Sequence, residues 1–384
     1  MKVLFVLSLG KLDGGAALVW MNLLDGLRTR GVEPYVVIPK DADGSLTSEL
    51  DRRNIPWRAI FYTWWVTSSS NETTPLRRVR RMGGKLINRS TDRQIGAYME
   101  ECGIELVYIC DGTITAGLHE AKRRGIPVVW HIHEFIRDTP GGVKFSDPEA
   151  HVGSTLALAD AIITVTRSIK TDLRTRFPML QNIHVVYNGI PKSRIFDKPV
   201  RPEGKTVVFT LVGRIDENKG QEDAIRAFIR IAPKYPNAVL RIVGTGDPKL
   251  TERLKVLADR GAAHGCIEFL GYRKDIPIIW RDTDIALNCS YSEGCSMVLC
   301  EAMSSGCLML CSTAESNVEL IDGKYGVLYE RTKVADLAEK MAWVIDHPDE
   351  CQKLALAGKR RAQRIFDLDR QIDLVYQIFT EVLK

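Results

Sequence analysis

The sequence has 384 residues, a formal net charge of +5, and 45% hydrophobic and 26% charged residues. That length suits two or three domains with sizeable cores, and the composition excludes a disordered or fibrous chain. No run approaches the ~18 apolar residues of a membrane-spanning helix, and the nine cysteines form no C-x-x-C pair, which argues against a thiolate metal framework.

The chain opens MKVLFVLSLGKLDGGAA, with a basic residue, an apolar run and then small residues, the outline of a secretory leader. Lys11 and Asp13 interrupt that outline. The start therefore reads as a buried first strand followed by a glycine turn, and the compartment as cytoplasmic. Gly14 and Gly15 open a helical segment, 14–30, whose free N–H groups and positive end suit an anion. The spacing is not G-x-G-x-x-G. The further apolar runs PYVVI, ELVYI, PVVWHI and AIITV alternate with amphipathic segments such as 112–124. This alternation predicts a parallel sheet covered on both faces.

Three stretches of this half bear on chemistry. The aromatic run IFYTWWVTSSSN, residues 60–71, suits stacking on a sugar ring, a membrane interface, or packing under a loop. Residues 76–93 follow, with seven Arg or Lys against Asp92, and account for the net positive charge of the chain. They read as an anionic-membrane contact or a solvated helix face. In VVWHIHEF, His131 and His133 alternate at a strand end and share a face. Zinc would need a third ligand there, and Glu134 falls on the other side.

The run IHVVYNGI closes the first half, and residues 191–205 break the pattern with three prolines and many charges, as a linker does. The alternation then restarts with TVVFTLVG, AVLRIVG, IEFLG, DIALNCS and CLMLCS, where Cys289, Cys295, Cys300, Cys307 and Cys311 act as small hydrophobes. The last segment, LDRQIDLVYQIFTEVL, is amphipathic, with Ile372, Val375, Tyr376, Ile378 and Phe379 near helical spacing. We expect an α/β chain of two Rossmann-like doubly wound domains facing each other across a cleft. Residues 1–190 form the first domain, 191–205 the linker and 206–365 the second domain.

Within the second half, Gly213 and Arg214 stand just beyond the strand TVVFTLV, and Lys219 follows five residues later. A planar guanidinium fork and a mobile ammonium suit a diphosphate leaving group. After DIALNCS, the loop YSEGC leads into a helix starting near Ser296, so amides around Gly294, Cys295, Ser296, Met297 and Val298 point at a phosphate. Glu293, on the loop, is placed for sugar hydroxyls. Glu301, eight residues on, is about 80° around the helix and ~12 Å along it. A carboxylate there accepts two bonds from a vicinal diol such as a ribose.

Together, GRIDENKGQEDAIRAF and SEGCSMVLCEAMSSG resemble the retaining glycosyltransferases of family 4, which have the GT-B fold. The similarity runs through essentially the whole chain, including VVWHIHE, VVYNGI and a terminal helix that in this fold crosses back to the first domain, here residues 366–384. The resemblance implies that Arg214 and Lys219 are the phosphate pair and Glu293…Glu301 the E-x7-E pair. His133 takes the family's histidine role, with His131 as second choice. Gly14, Gly15, Gly213, Tyr272, Gly294, Cys295, Ser296, Met297 and Val298 complete the donor-binding set. Cys295 stands where the family usually carries Phe.

The implied activity is metal-independent transfer of a sugar, with retention, from a nucleotide-diphosphate donor, a UDP-sugar rather than a GDP-sugar. The acceptor is a hydroxyl of a glycan or lipid-linked saccharide, in surface polysaccharide or glycoconjugate synthesis. No cofactor and no nucleic acid are expected. Docking of residues 76–93 on the inner face of the plasma membrane is. The alternatives are a GT-B nucleotide-sugar epimerase and a nucleotide-sugar-binding protein without catalysis.

Overall fold

Each half of the chain gathers its apolar runs into one parallel sheet. The computed structural model describes residues 1–12, 14–68, 90–137, 143–196, 206–259 and 263–384. They fall into two units, Met1–Asn188 with Leu368–Lys384, and Gly189–Asp367.

The first unit has strands β1 (Lys2–Leu7), β2 (Glu33–Pro39), β3 (Trp57–Ile60), β4 (Val66–Ser68), β5 (Leu106–Cys110), β6 (Val128–Ile132), β7 (Val143–Phe145), β8 (Ala161–Thr164) and β9 (Ile183–Val185). Seven of them pair in the order β3-β2-β1-β5-β6-β8-β9, all parallel. β4 and β7 form a separate antiparallel pair. Every side chain from Val3 to Leu7 and from Val128 to Ile132 is buried, as a sheet covered on both faces requires. The helices Gly14–Thr29 and Leu368–Val382 pack together in this unit, with Ile372, Val375, Ile378 and Phe379 in its core. Gly26 permits their approach, because an added Cβ would lie 2.1 Å from Ile372 Cδ1.

The second unit has β10 (Val207–Val212), β11 (Ala238–Val243), β12 (Ile267–Gly271), β13 (Ile285–Asn288), β14 (Leu308–Ser312) and β15 (Val327–Tyr329). They pair in parallel in the order β12-β11-β10-β13-β14-β15. Chain order reverses between β10 and β13 here, and between β1 and β5 in the first unit. Doubly wound sheets bind ligands at the carboxyl ends of the strands that flank such a reversal.

The structure differs from the sequence reading in a few elements. The helix expected over 112–124 begins only at Leu118, because Asp111 (φ 95°) and Gly117 (φ 81°) turn the chain between them. The short strands β3, β4, β7 and β15 were not predicted. Of the charged stretch 191–205, residues 191–196 belong to the second unit, and 197–205 lie outside the described residues, as do 76–89 of the basic segment and 69–71 of the aromatic run.

Candidate functional site

In the second unit two loops meet at the reversal point. β10 ends at Val212, and Gly213 and Arg214 lead into the 3-10 turn Glu217–Lys219 and the helix Gln221–Ile231. Asp216 caps that turn, its Oδ1 accepting from the Lys219 N–H at 3.1 Å and its Oδ2 from Arg214 Nε at 2.8 Å. Gly220 has φ 68°, and a Cβ there would lie 2.3 Å from the Cys289 carbonyl oxygen. Only glycine satisfies both the left-handed backbone and the contact. Asn218 laces this loop to the one after β13. Its Nδ2 donates to the Ser292 carbonyl at 3.0 Å, and its Oδ1 accepts from the Ser292 N–H at 3.1 Å.

The lacing brings Lys219 Nζ into an ion pair with Glu293 Oε1, which also accepts from Ser290 Oγ at 2.7 Å. Ser316 Oγ donates to the Glu293 carbonyl at 2.6 Å. Lys219 and Glu293 are largely covered (27% and 13% exposed), whereas Arg214 is 77% exposed and held by Asp216. The loop therefore carries one fixed cation and one cation reaching into solvent. A small cavity of about 30 Å³ is lined by Gly213, Lys219, Glu293, Ser296 and Val298 among others.

Gly294 and Cys295 lead to the helix Met297–Ser304, whose N-cap is Ser296, with Oγ accepting from the Leu299 N–H at 3.4 Å. Cys295 is buried, its Sγ 3.7 Å from that of Cys300. Glu301 is buried in the second turn of this helix, and Arg194 Nε donates to its Oε1 at 2.8 Å. Burial pushes the Glu301 carboxyl up, and the Arg194 charge pulls it back down. The two glutamates thus face different cations, Lys219 and Arg194. Tyr272, one residue past β12, is exposed.

In the first unit, Gly14 and Gly15 begin the helix that follows β1. His131, in β6, is fully buried, and its Nδ1 is hydrogen-bonded with the Tyr108 hydroxyl while Nε2 has no partner. His133 lies just past the strand with its ring stacked on that of His131, centroids 4.0 Å apart. Burial pushes His131 well below the usual imidazole range. It also pushes His133 down to about 4, although Asp111 pulls the other way.

Asp111, at the end of β5, accepts from Ser8 Oγ and from the Thr113 N–H, both at 2.7 Å. Glu134 Oε1 accepts from the Gly112 N–H at 3.2 Å. Burial, then the neighbouring Asp111, push the Glu134 carboxyl well above the ordinary carboxylate range. Sequence reasoning missed Asp111. Its signal was an Asp-Gly pair following the apolar run ELVYIC, at a strand's carboxyl end. The aromatic run divides. Trp65 is buried and stacked on Trp130, with centroids 5.6 Å apart, and Tyr62 is buried. Phe61 and Trp64 are exposed, and the Trp64 indole N–H donates to the Ser8 carbonyl at 3.3 Å.

All nine thiols are free, and among the described residues no three His, Cys, Asp or Glu side chains gather as a metal site. No helix of the described residues is long and apolar enough to cross a membrane.

Two family models match successive stretches of the chain, Glycosyltransferase Family 4 over residues 13–194 and Glycosyl transferases group 1 over residues 192–361. A glycogen synthase of Mycobacterium tuberculosis is 28% identical over 58% of this chain and 54% of its own length. A Campylobacter jejuni N,N'-diacetylbacillosaminyl-diphospho-undecaprenol alpha-1,3-N-acetylgalactosaminyltransferase is 30% identical over 56% of this chain and 53% of its own. The chain spans about half the length of the curated relatives it matches. Among solved structures, a glycosyltransferase from Rickettsia africae superposes with a TM-score of 0.80 at 17% identity, covering 100% of this chain and 98% of the other. Anabaena HepE in complex with UDP gives 0.79 at 19% identity, covering 99% and 100%. The fold is therefore GT-B, and with both family models accounting for consecutive stretches from residue 13 to residue 361, the chain belongs to glycosyltransferase family 4.

Proposed function

We propose that this protein transfers a sugar, with retention and without a metal ion, from a UDP-sugar to a hydroxyl of a glycan or lipid-linked saccharide. The observation that carries this reading is the laced pair of loops at the β10/β13 reversal, with Lys219 fixed by Glu293 and Arg214 extended beside it. In this reading Lys219 and Arg214 stabilise the charge that develops on the departing diphosphate. The amides around Gly294, Cys295, Ser296, Met297 and Val298 receive a phosphate, with Gly213 giving it room and Tyr272 at the rim. Glu293 orders the donor sugar and Glu301 takes the ribose. In this reading Glu293 is a sugar-ordering group and not half of a double-displacement carboxylate pair. Departure and attack then occur on one face of the sugar, the leaving diphosphate helping to accept the hydroxyl proton. The protein contributes positioning and charge.

On the first unit, His133 is assigned to the donor sugar, with His131 supporting it from inside the sheet. Gly14 and Gly15 offer helix amides to the leaving-group side. Trp64 and Asp111, both bonded to Ser8, form the acceptor side. Support comes from the relatives: the named ones are a synthase and a transferase, one acting on a diphospho-undecaprenol saccharide, and HepE was solved with UDP-glucose. Those names favour transfer over the epimerase and the non-catalytic alternatives. Surface polysaccharide synthesis at the inner face of the plasma membrane, reached through residues 76–93, belongs to the same proposal.

The experiment follows the anomeric proton of UDP-glucose by NMR with a panel of glycan and lipid-linked acceptors, with and without EDTA. An α-linked product formed equally in both conditions supports the reading. An inverted linkage or loss of activity with EDTA contradicts the mechanism, and an epimerised nucleotide-sugar contradicts the activity.

A further inference from the structure

Glu301 is held by a residue that no motif singled out. Arg194 lies in the 3-10 turn Lys192–Arg194, in the charged stretch that opens the second unit. That stretch is fixed on the helix Met297–Ser304 and the residue after it. The Phe196 N–H donates to Ser305 Oγ at 3.1 Å, and Arg194 reaches Glu301 across 107 residues of sequence. Two guanidinium nitrogens converge on one carboxylate oxygen, with Nε at 2.8 Å and Nη2 at 2.7 Å from Oε1. The Trp280 side chain is a second polar neighbour of this carboxyl. A guanidinium fork is able to engage both oxygens of a carboxylate. Here both of its nitrogens go to the same oxygen.

A buried carboxylate drifts toward its neutral form, and the Arg194 charge opposes that drift. The difference matters for a diol, because a carboxylate accepts from both hydroxyls while a protonated carboxyl spends one oxygen as a donor. We propose that Arg194 is a positioning residue for the nucleotide: it clamps the Glu301 carboxylate through Oε1 in the place where it accepts from the ribose hydroxyls, and so sets a preference for ribonucleotides. This rests on the reading of Glu301 as the ribose partner.

The test is calorimetric titration of the full chain with UDP and with 2′,3′-dideoxy-UDP. The proteins are the wild type, Arg194→Met and Arg194→Lys, each first matched by thermal melting. The wild type should prefer UDP by about tenfold or more, the worth of hydrogen bonds to a charged acceptor. Arg194→Met should shrink that preference to about threefold or less through lost UDP affinity, with dideoxy-UDP binding unchanged, and Arg194→Lys should restore most of it. A melting temperature lowered without loss of the preference overturns the proposal, as does an equal loss for both nucleotides, since a clamp that merely fixes the segment weakens them alike. A wild type that binds both equally, or neither, instead removes the ribose reading of Glu301.

Discussion

Lys219 and Glu293 show how a single residue's role follows from its neighbours. An exposed lysine on a loop would be a weak point charge, screened by water. This one is fixed by Glu293, its own backbone N–H is capped by Asp216, and it sits at the sheet reversal. Lys219→Ala and Arg214→Ala should each lower kcat by about 100-fold or more, as loss of a transition-state charge partner does. Near-normal kcat/KM in folded variants would exclude them from the leaving-group site. The histidines and Glu134 give a pH signature with opposite signs. His133 is held at about 4, below the ordinary value of about 6.5, so its contribution to stability is present above 6.5 and lost as pH falls through 4. Glu134 is shifted upward, so its contribution is present in acid and lost as pH rises through the raised value. Melting temperatures across pH should therefore show His133→Gln flattening the acid limb and Glu134→Gln the alkaline limb. An unchanged slope in both variants would mean that the two groups titrate normally.

At the scale of elements, the loop 216–220 is the piece whose shape matters most. Gly220→Ala must adopt a left-handed backbone and push its Cβ into the Cys289 carbonyl. It should cost roughly 2–5 kcal/mol from strain and overpacking, read as a lower urea midpoint, and weaken donor binding by displacing Lys219. Stability within 0.5 kcal/mol of wild type, the usual range for an innocuous surface change, would show that the loop relaxes freely. The long parallel strands and the helices flanking the site were legible because central strands are covered on both faces, which leaves continuous apolar runs such as VLFVL and VVWHI. The three-residue strands β4, β7 and β15 left no comparable run, and β4 pairs with β7 only across a long stretch of chain. Ser296 announced its helix within one residue because its capping chemistry is local. Asp111 and Arg194 escaped notice because their significance lies in partners distant in sequence, Ser8 and Glu301.

Over the whole molecule, the residues given roles in the proposed reaction are divided between two units. Arg194, Arg214, Lys219, Glu293 and Glu301 belong to the second, and His131, His133 and Asp111 to the first. The amphipathic end of the sequence returns to the first unit, where Phe379 meets Tyr108 edge-on at 5.6 Å, and Tyr108 in turn bonds His131. That return was visible as helical spacing of apolar residues, although spacing alone did not say against which sheet they would pack. Basic residues 76–93 should bring the molecule to anionic vesicles by about 1 kcal/mol per engaged cation. Co-sedimentation that ignores lipid charge and the exchange of Arg77, Arg78, Arg80 and Arg81 for Gln would exclude this. In this reading Glu301 of the second unit binds the ribose of the nucleotide, and transfer needs residues of both units. Calorimetric titration of UDP into the wild type, Glu301→Ala, Glu293→Ala and His133→Ala, with transfer rates measured in parallel, tests it most directly. We predict that Glu301→Ala weakens UDP binding about tenfold or more, while Glu293→Ala and His133→Ala bind UDP within about threefold of wild type yet lose transfer. Full UDP affinity in Glu301→Ala together with its loss in His133→Ala would contradict the account.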